Sequence, residues 1–240
     1  MERNINDLTG YRVDATDGEI GKVEDFYFDD EFWTIRYLVI RTGNWLSRKK
    51  VLISTSAFTS LDTNHDLLQA GITKEQVANS LDIDINKPVS RRQEALLNQH
   101  YSWENYWGSD FNGGEMGILN QRPIRLNEAC RNSKEDIHLR SVAKVNGYTI
   151  HASDGEMGHV NSFIVDYETW QMVHVVVDIH NWIGGEKVLI EVANLHSISF
   201  LNQLVYVHMN IADITAGKLY VEAEYSQKAQ HSEDESLINR

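Results

Sequence analysis

Apolar positions along the chain fall in short runs with strand-like alternation, separated by Gly, Asp, Asn and Thr. From Ile20 to Asp29, the apolar Ile20, Val23, Phe26 and Phe28 are interleaved with charged residues at an imperfect period of two, as in a strand carrying a bulge. Thr34 to Thr42 is the densest β-branched run, and Lys50 to Ser54 is another. Tyr11 to Ala15, Ala57 to Leu61 and His65 to Ala70 supply shorter candidates. Several short strands punctuated by turn residues predict a small barrel or sandwich and argue against an α/β layer. The same order returns at Tyr148 to Ala152, Met157 to Asp166, Gln171 to Ile179, Lys187 to Val192, Leu195 to Phe200 and Gln203 to Met209.

The repetition extends to the residues themselves. GYRVDATDGEIGKV, from Gly10 to Val23, recurs as GYTIHASDGEMGHV, from Gly147 to Val160, and the alignment needs no gap through Ile53 and Ile190. It pairs Phe26 with Phe163, Trp33 with Trp170, Trp45 with Trp182, and the KVLI run at Lys50 with that at Lys187. A match of this length is the duplication of a whole folding unit. The expected division is a first domain over 5–80, a connecting segment over 81–141, a second domain over 142–217 and a polar, disordered tail over 218–240. In the connecting segment, SRRQEALLNQHY predicts a helix with Ser90 as its N-cap, followed by Trp103, Tyr106 and Trp107. Three large aromatics in a nominal linker imply that it packs on a domain or on a partner chain.

Charge and cysteine usage narrow the function classes. A formal net charge of -13 disfavours nucleic acid, whose phosphates need a basic face. Cys130 is the one cysteine, so no intrachain disulfide can form, which suits a reducing cytoplasm. MERNINDLTG lacks the apolar centre of a signal peptide, and no apolar run reaches the ~18 residues of a membrane span, so direct membrane insertion is not expected.

The paired segments DGEIGKVEDFYFDDEFWTIRYLVIRTGNWL and DGEMGHVNSFIVDYETWQMVHVVVDIHNWI resemble PRC-barrel domains, and INKPVSRRQEALLNQHYSWENYWG resembles the connecting segment of bacterial proteins with two such barrels in tandem. The resemblance implies a mainly β fold, two small PRC-type β-barrels joined by a partly helical connector. It also implies barrels used as protein-docking modules. Relatives include the cytoplasmic part of the photosynthetic reaction-centre H subunit and the C-terminal part of a ribosome maturation factor. The expected role is a non-enzymatic, cytoplasmic docking or scaffold protein that binds another protein or itself as a homo-oligomer. The alternatives are a small-ligand or metal-responsive regulator and a peripheral subunit of a reaction-centre-like membrane complex.

Candidate residues follow from these motifs. Asp17, Gly18 and Gly21, with Asp154, Gly155 and Gly158, are assigned to structural turns, because Asp-Gly before a β run is a strong turn signal. Trp33, Trp45, Trp103, Tyr106, Trp107, Trp170 and Trp182 are the candidate protein interface, since Trp and Tyr serve as contact anchors. His151, His159, His174, His180, His196 and His208 crowd the second copy but form no HxH or HExxH pattern, so no metal site is assigned. No GxSxG, phosphate loop or dinucleotide fingerprint occurs, so no catalytic residues and no cofactor are assigned.

Overall fold

A computed structural model describes residues 1–80, 89–106, 139–179 and 186–226. Its strands are β1 (Glu2–Asn4), β2 (Arg12–Ala15), β3 (Gly18–Asp29), β4 (Thr34–Thr42), β5 (Lys50–Ser54), β6 (Phe58–Asp62), β7 (Leu67–Ala70), β8 (Leu139–Ser141), β9 (Thr149–Ala152), β10 (Gly155–Asp166), β11 (Gln171–Asp178), β12 (Lys187–Glu191), β13 (Leu195–Ser199) and β14 (Leu204–Val207). The helices are α1 (Lys74–Ala78), α2 (Arg91–Tyr101), α3 (Val142–Val145), α4 (Ile211–Thr215) and α5 (Glu222–Tyr225).

In the first unit, β5, β4, β3, β2, β7 and β6 pair in that order, with β2 and β7 parallel and the rest antiparallel. A single 3-10 turn, Thr55–Ala57, carries β5 into β6. A bulge that leaves Glu24 as the extra residue accounts for the break in the alternation of β3, and a second irregularity opposite Tyr27 and Phe28 leaves Arg36 extra on β4. In the second unit, β12, β11, β10, β9, β14 and β13 pair in the corresponding order, and the 3-10 turn Val192–Asn194 joins β12 to β13. Gly21 and Gly158 have a steric reason to recur. A Cβ at Gly21 would lie 2.1 Å from the Arg41 carbonyl oxygen, and one at Gly158 would lie 2.4 Å from that of Asp178.

The units are not two beads on a string. β1 leads into the first unit but pairs with β10 of the second, with Arg3 opposite Val165. Correspondingly, β8 leads into the second unit but pairs with β3 of the first, with Arg140 opposite Phe28. Between the exchanged strands, β4 meets β11 with Thr34 opposite Gln171. There the Ile35 N–H donates to the Trp170 carbonyl and the Met172 N–H to the Trp33 carbonyl, both at 2.8 Å. These pairs are equivalent under the sequence repeat, so the units are related by a local two-fold axis and share one 14-stranded sheet. One core cluster runs through both, from Ile5 and Phe28 to Phe163 and Ile214.

Two expected boundaries need correction. The division at Ile5 and Val142 separates each exchanged strand from its own unit's continuation, because hydrogen bonding across the axis decides where β1 and β8 lie. The tail expected to be disordered from Lys218 is ordered through Ser226: Leu219 bridges Val188, Tyr220 N–H donates to the Lys187 carbonyl at 2.8 Å, and Tyr225 is buried. It covers Ile164, Val176 and Leu189, apolar positions on the outer side of the sheet. Residues 227–240 lie outside the described residues.

Each exchanged strand ends in a side-chain lock at the same place in the repeat. Asn4 caps the 3-10 turn Ile5–Leu8 through the Asn6 N–H, and its amide donates to Ser162 Oγ at 3.0 Å and Tyr220 Oη at 2.8 Å. Ser141 caps α3 and donates to Asp25 Oδ2 at 2.6 Å. Replacing Asn4 by Ala removes a cap and leaves buried Ser162 without that donor, so Asn4→Ala is expected to lower stability by about 1–3 kcal/mol in urea unfolding. Faster amide exchange should appear first along β10.

Candidate functional site

The expected aromatic interface divides into different environments. Trp33 and Trp170 occupy the β3–β4 and β10–β11 turns in the left-handed region, at φ 52° and 60°. Trp33 stacks on Phe28 with centroids 5.6 Å apart, and Trp170 packs against Phe58 at 6.2 Å. Their carbonyls accept the hydrogen bonds that join the units, so this pair serves the internal contact. Trp103 stacks on Tyr101 at 4.2 Å. Trp45 is the exposed member: its Nε1 donates to the Ile20 carbonyl at 2.7 Å, and Lys74 Nζ lies 4.6 Å from its ring centroid. Trp107 and Trp182 lie outside the described residues.

The turn aspartates also act beyond their own turns. Asp17 Oδ1 accepts the Lys74 N–H at 2.8 Å, and Asp154 Oδ1 accepts the Ile211 N–H at 2.9 Å. Each thereby ties its hairpin to the start of the helix that follows the unit, while Gly18 and Gly155 supply φ values of 129° and 155°. Sequence spacing gave no sign of this long-range bond.

Tyr106 belongs to a buried polar cluster beneath α2. Its hydroxyl donates to Glu94 Oε2 at 2.9 Å and accepts from Arg91 Nη1, while the guanidinium of Arg36 lies 3.8 Å from its ring centroid. Arg36 and Arg91 also face Asp29 Oδ2 at 3.5 and 3.8 Å, and Tyr37 donates to Asn98 Oδ1 at 3.0 Å. Glu94 has no exposed surface. Burial pushes its carboxyl up to about 7, against the downward pull of the Tyr106 hydrogen bond and the Arg91 charge. The cluster is closed and ties the connector to the first unit. Sequence reasoning missed it because Arg91, Glu94 and Asn98 read as a solvated helix face until β3 and β4 cover them.

On the outer face of the first unit, the strand register lines up four cations. Arg12 is opposite Lys22, Lys22 opposite Arg41, and Arg41 opposite Lys50. With neighbouring strands about 5 Å apart, the row is about 15 Å long. Val13, Val23, Ile40 and Val51 beside them in sequence point inward and are buried. Asp14 lies 3.2 Å from Arg12, and Glu24 pairs with both Arg41 and Lys50. The Arg41 hydrogen bond is the main cause holding the Glu24 carboxyl below its ordinary range. Lys22 makes no ion pair with a described residue. Like charges directly opposite on neighbouring strands are destabilising. The fold does not demand them, since the same register in the second unit holds Thr149, His159, Asp178 and Lys187. Trp45 and Arg48 sit in the β4–β5 loop, which has left-handed Ser47 and Arg48. The four cations are each visible in the sequence, but only the register makes them neighbours.

Among the described residues, no three His, Cys, Asp or Glu side chains converge as a metal cluster. The structure does bring two of the scattered histidines together, His196 and His208, with ring centroids 4.8 Å apart.

Residues 1–77 match the sequence profile of the PRC-barrel domain, so the first unit carries a PRC-barrel domain spanning β1 to α1. No curated protein matches the chain.

Glu94 yields a pH prediction. It holds its proton more tightly folded than unfolded, so between the ordinary carboxylate range and about 7 folding takes up a proton and stability falls as pH rises. This contribution is on the order of 3 kcal/mol. Glu94→Gln should flatten the dependence of the urea midpoint on pH between about 5 and 8.

Proposed function

We propose that the chain is a non-enzymatic docking module built from two PRC barrels in tandem, and that the first barrel grips an acidic segment of a partner protein. The observation that carries this reading is the cationic row Arg12, Lys22, Arg41 and Lys50, with exposed Trp45 in the β4–β5 loop of the same unit, on a chain whose net charge is -13. Such a patch steers an acidic partner to one face of an otherwise repelling surface. Trp45 then supplies the flat contact area that charges alone lack.

The strand-for-strand recurrence of β9 to β14 supports treating the second unit as a second PRC barrel, whose outer face has lost the cationic row. The kinship with the reaction-centre H subunit and the ribosome maturation factor belongs to the same proposal and rests on the barrel alone. No helix among the described residues is long and apolar enough to cross a membrane. In the membrane-complex reading, contact would therefore run through a protein subunit, and the module would work on the cytoplasmic side.

The test uses the full chain and a fluorescent Glu/Asp-rich peptide in polarisation measurements. Binding is expected, weakening about tenfold or more as salt rises from about 50 to about 300 mM. Arg12→Gln with Lys22→Gln should weaken it by about tenfold, and Trp45→Ala by a similar factor. Equal binding by parent and variants, or stronger binding of duplex DNA than of the peptide, would overturn the reading.

Self-association has its own supporting observation. Leu201 is 92% exposed and Phe200 44% exposed on the β13–β14 turn, beside a shallow depression lined by Tyr27, Arg140, Lys144 and Tyr148. If this apolar turn joins two copies in a homodimer, light scattering at high concentration gives a dimer mass that Leu201→Glu reduces to the monomer.

A further inference from the structure

We propose that His196 and His208 form a two-imidazole chelate for a divalent transition metal of the zinc, nickel or copper type. This inference is independent of the docking face, which lies on the other unit.

The backbone sets up the pair. β13 and β14 run antiparallel with a register shift between Leu195 and Ser197, so His196 is the extra residue of a bulge. A bulge re-aims the side chain it carries. His208 directly follows β14, and its N–H donates to the Asn194 carbonyl at 2.9 Å, which holds its backbone against the start of the bulged strand. The first unit repeats this backbone with Thr59 and Gly71, where a Cβ on Gly71 would lie 3.5 Å from Thr59 Cγ2. The two positions are therefore neighbours in both units, and only the second unit fills them with imidazoles.

The spacing matches what a metal requires. A zinc–nitrogen bond is about 2.0–2.1 Å, and an imidazole nitrogen is about 1.1 Å from its ring centre, so the metal sits about 3.2 Å from each centre. Two rings bound at angles of about 90–110° then have centres about 4.5–5.2 Å apart. The observed separation is 4.8 Å, with the planes inclined by 49°. Both residues are exposed, so water can fill the remaining coordination positions. Among the described residues, no hydrogen bond engages either ring. Imidazole pairs select copper, nickel and zinc, whereas calcium and magnesium take oxygen ligands.

Isothermal titration of the full chain with zinc, nickel and copper chloride tests this, repeated with His196→Thr, His208→Ala and, as a control, His151→Gln. His196 and His208 are exposed, His151 is half-buried against Tyr206, and circular dichroism verifies the fold of each variant. The expected result is one site per chain, weakened at least about tenfold by either of the first two substitutions and unaltered by the control. Copper-bound protein should also give an electron paramagnetic resonance spectrum with two coordinated imidazole nitrogens, reduced to one or none in each variant. Binding that survives both substitutions, a copper spectrum without two nitrogens, or equal affinity for magnesium would overturn the proposal.

Discussion

Reciprocal exchange of β1 and β8 across the local two-fold axis is the constraint from which the rest of the architecture follows. A unit of this size buries a modest share of its surface, and its sheet would present open edges. Each unit instead receives a strand from the other, with Arg3 opposite Val165 on one side and Arg140 opposite Phe28 on the other. The direct contact of β4 and β11 then makes a single sheet and a single core. The locks at the ends of the exchanged strands obey the same symmetry with different chemistry. Asn4 meets Ser162 in one, and Ser141 meets Asp25 in the other. Burial pushes the Asp25 carboxyl up, while bonds from Ser141, Ala143 and Phe26 pull it down.

The units kept their skeleton and diverged in what lies over it. Where backbone approaches backbone, the residue type is fixed: Gly21 and Gly158 admit no Cβ beside the carbonyls of Arg41 and Asp178. Outer faces carry no such restriction. The first is covered only around Asp29 and Tyr37, by α2 with its buried Glu94, Arg91 and Tyr106 cluster, whereas the second carries the short segment around Tyr220 and Tyr225, stacked at 5.8 Å. Tyr37 in the first unit corresponds to His174 in the second, whose Nδ1 has no hydrogen-bond partner among the described residues. A repeated strand order with unlike covers gives one chain two unlike surfaces, a cationic row on one and an imidazole pair on the other.

Much of this was readable from residue order. The imperfect alternation of Ile20 to Asp29 marks a bulged strand, the capping pairs Thr73 with Gln76 and Ser90 with Gln93 start α1 and α2, and the repeat itself announces two similar units. Helix capping and strand alternation act over a few residues, so the sequence carries them directly. Trp33 and Trp170 are harder to assign, because their identity suits an external contact as well as an internal one; the turn's left-handed backbone and the proximity of Phe28 and Phe58 direct them inward.

The chain's order alone therefore determined the strand types, the internal sequence repeat and the turns, since these depend on local preference and on residues compared one with another. Tertiary structure decided which unit each leading strand joins, that residues 218–226 are part of the fold, and that Arg12, Lys22, Arg41 and Lys50 form a row. It also decided that His196 and His208 are neighbours. All of these depend on register between segments far apart in sequence, and register is set by the combined hydrogen bonding and burial of whole strands.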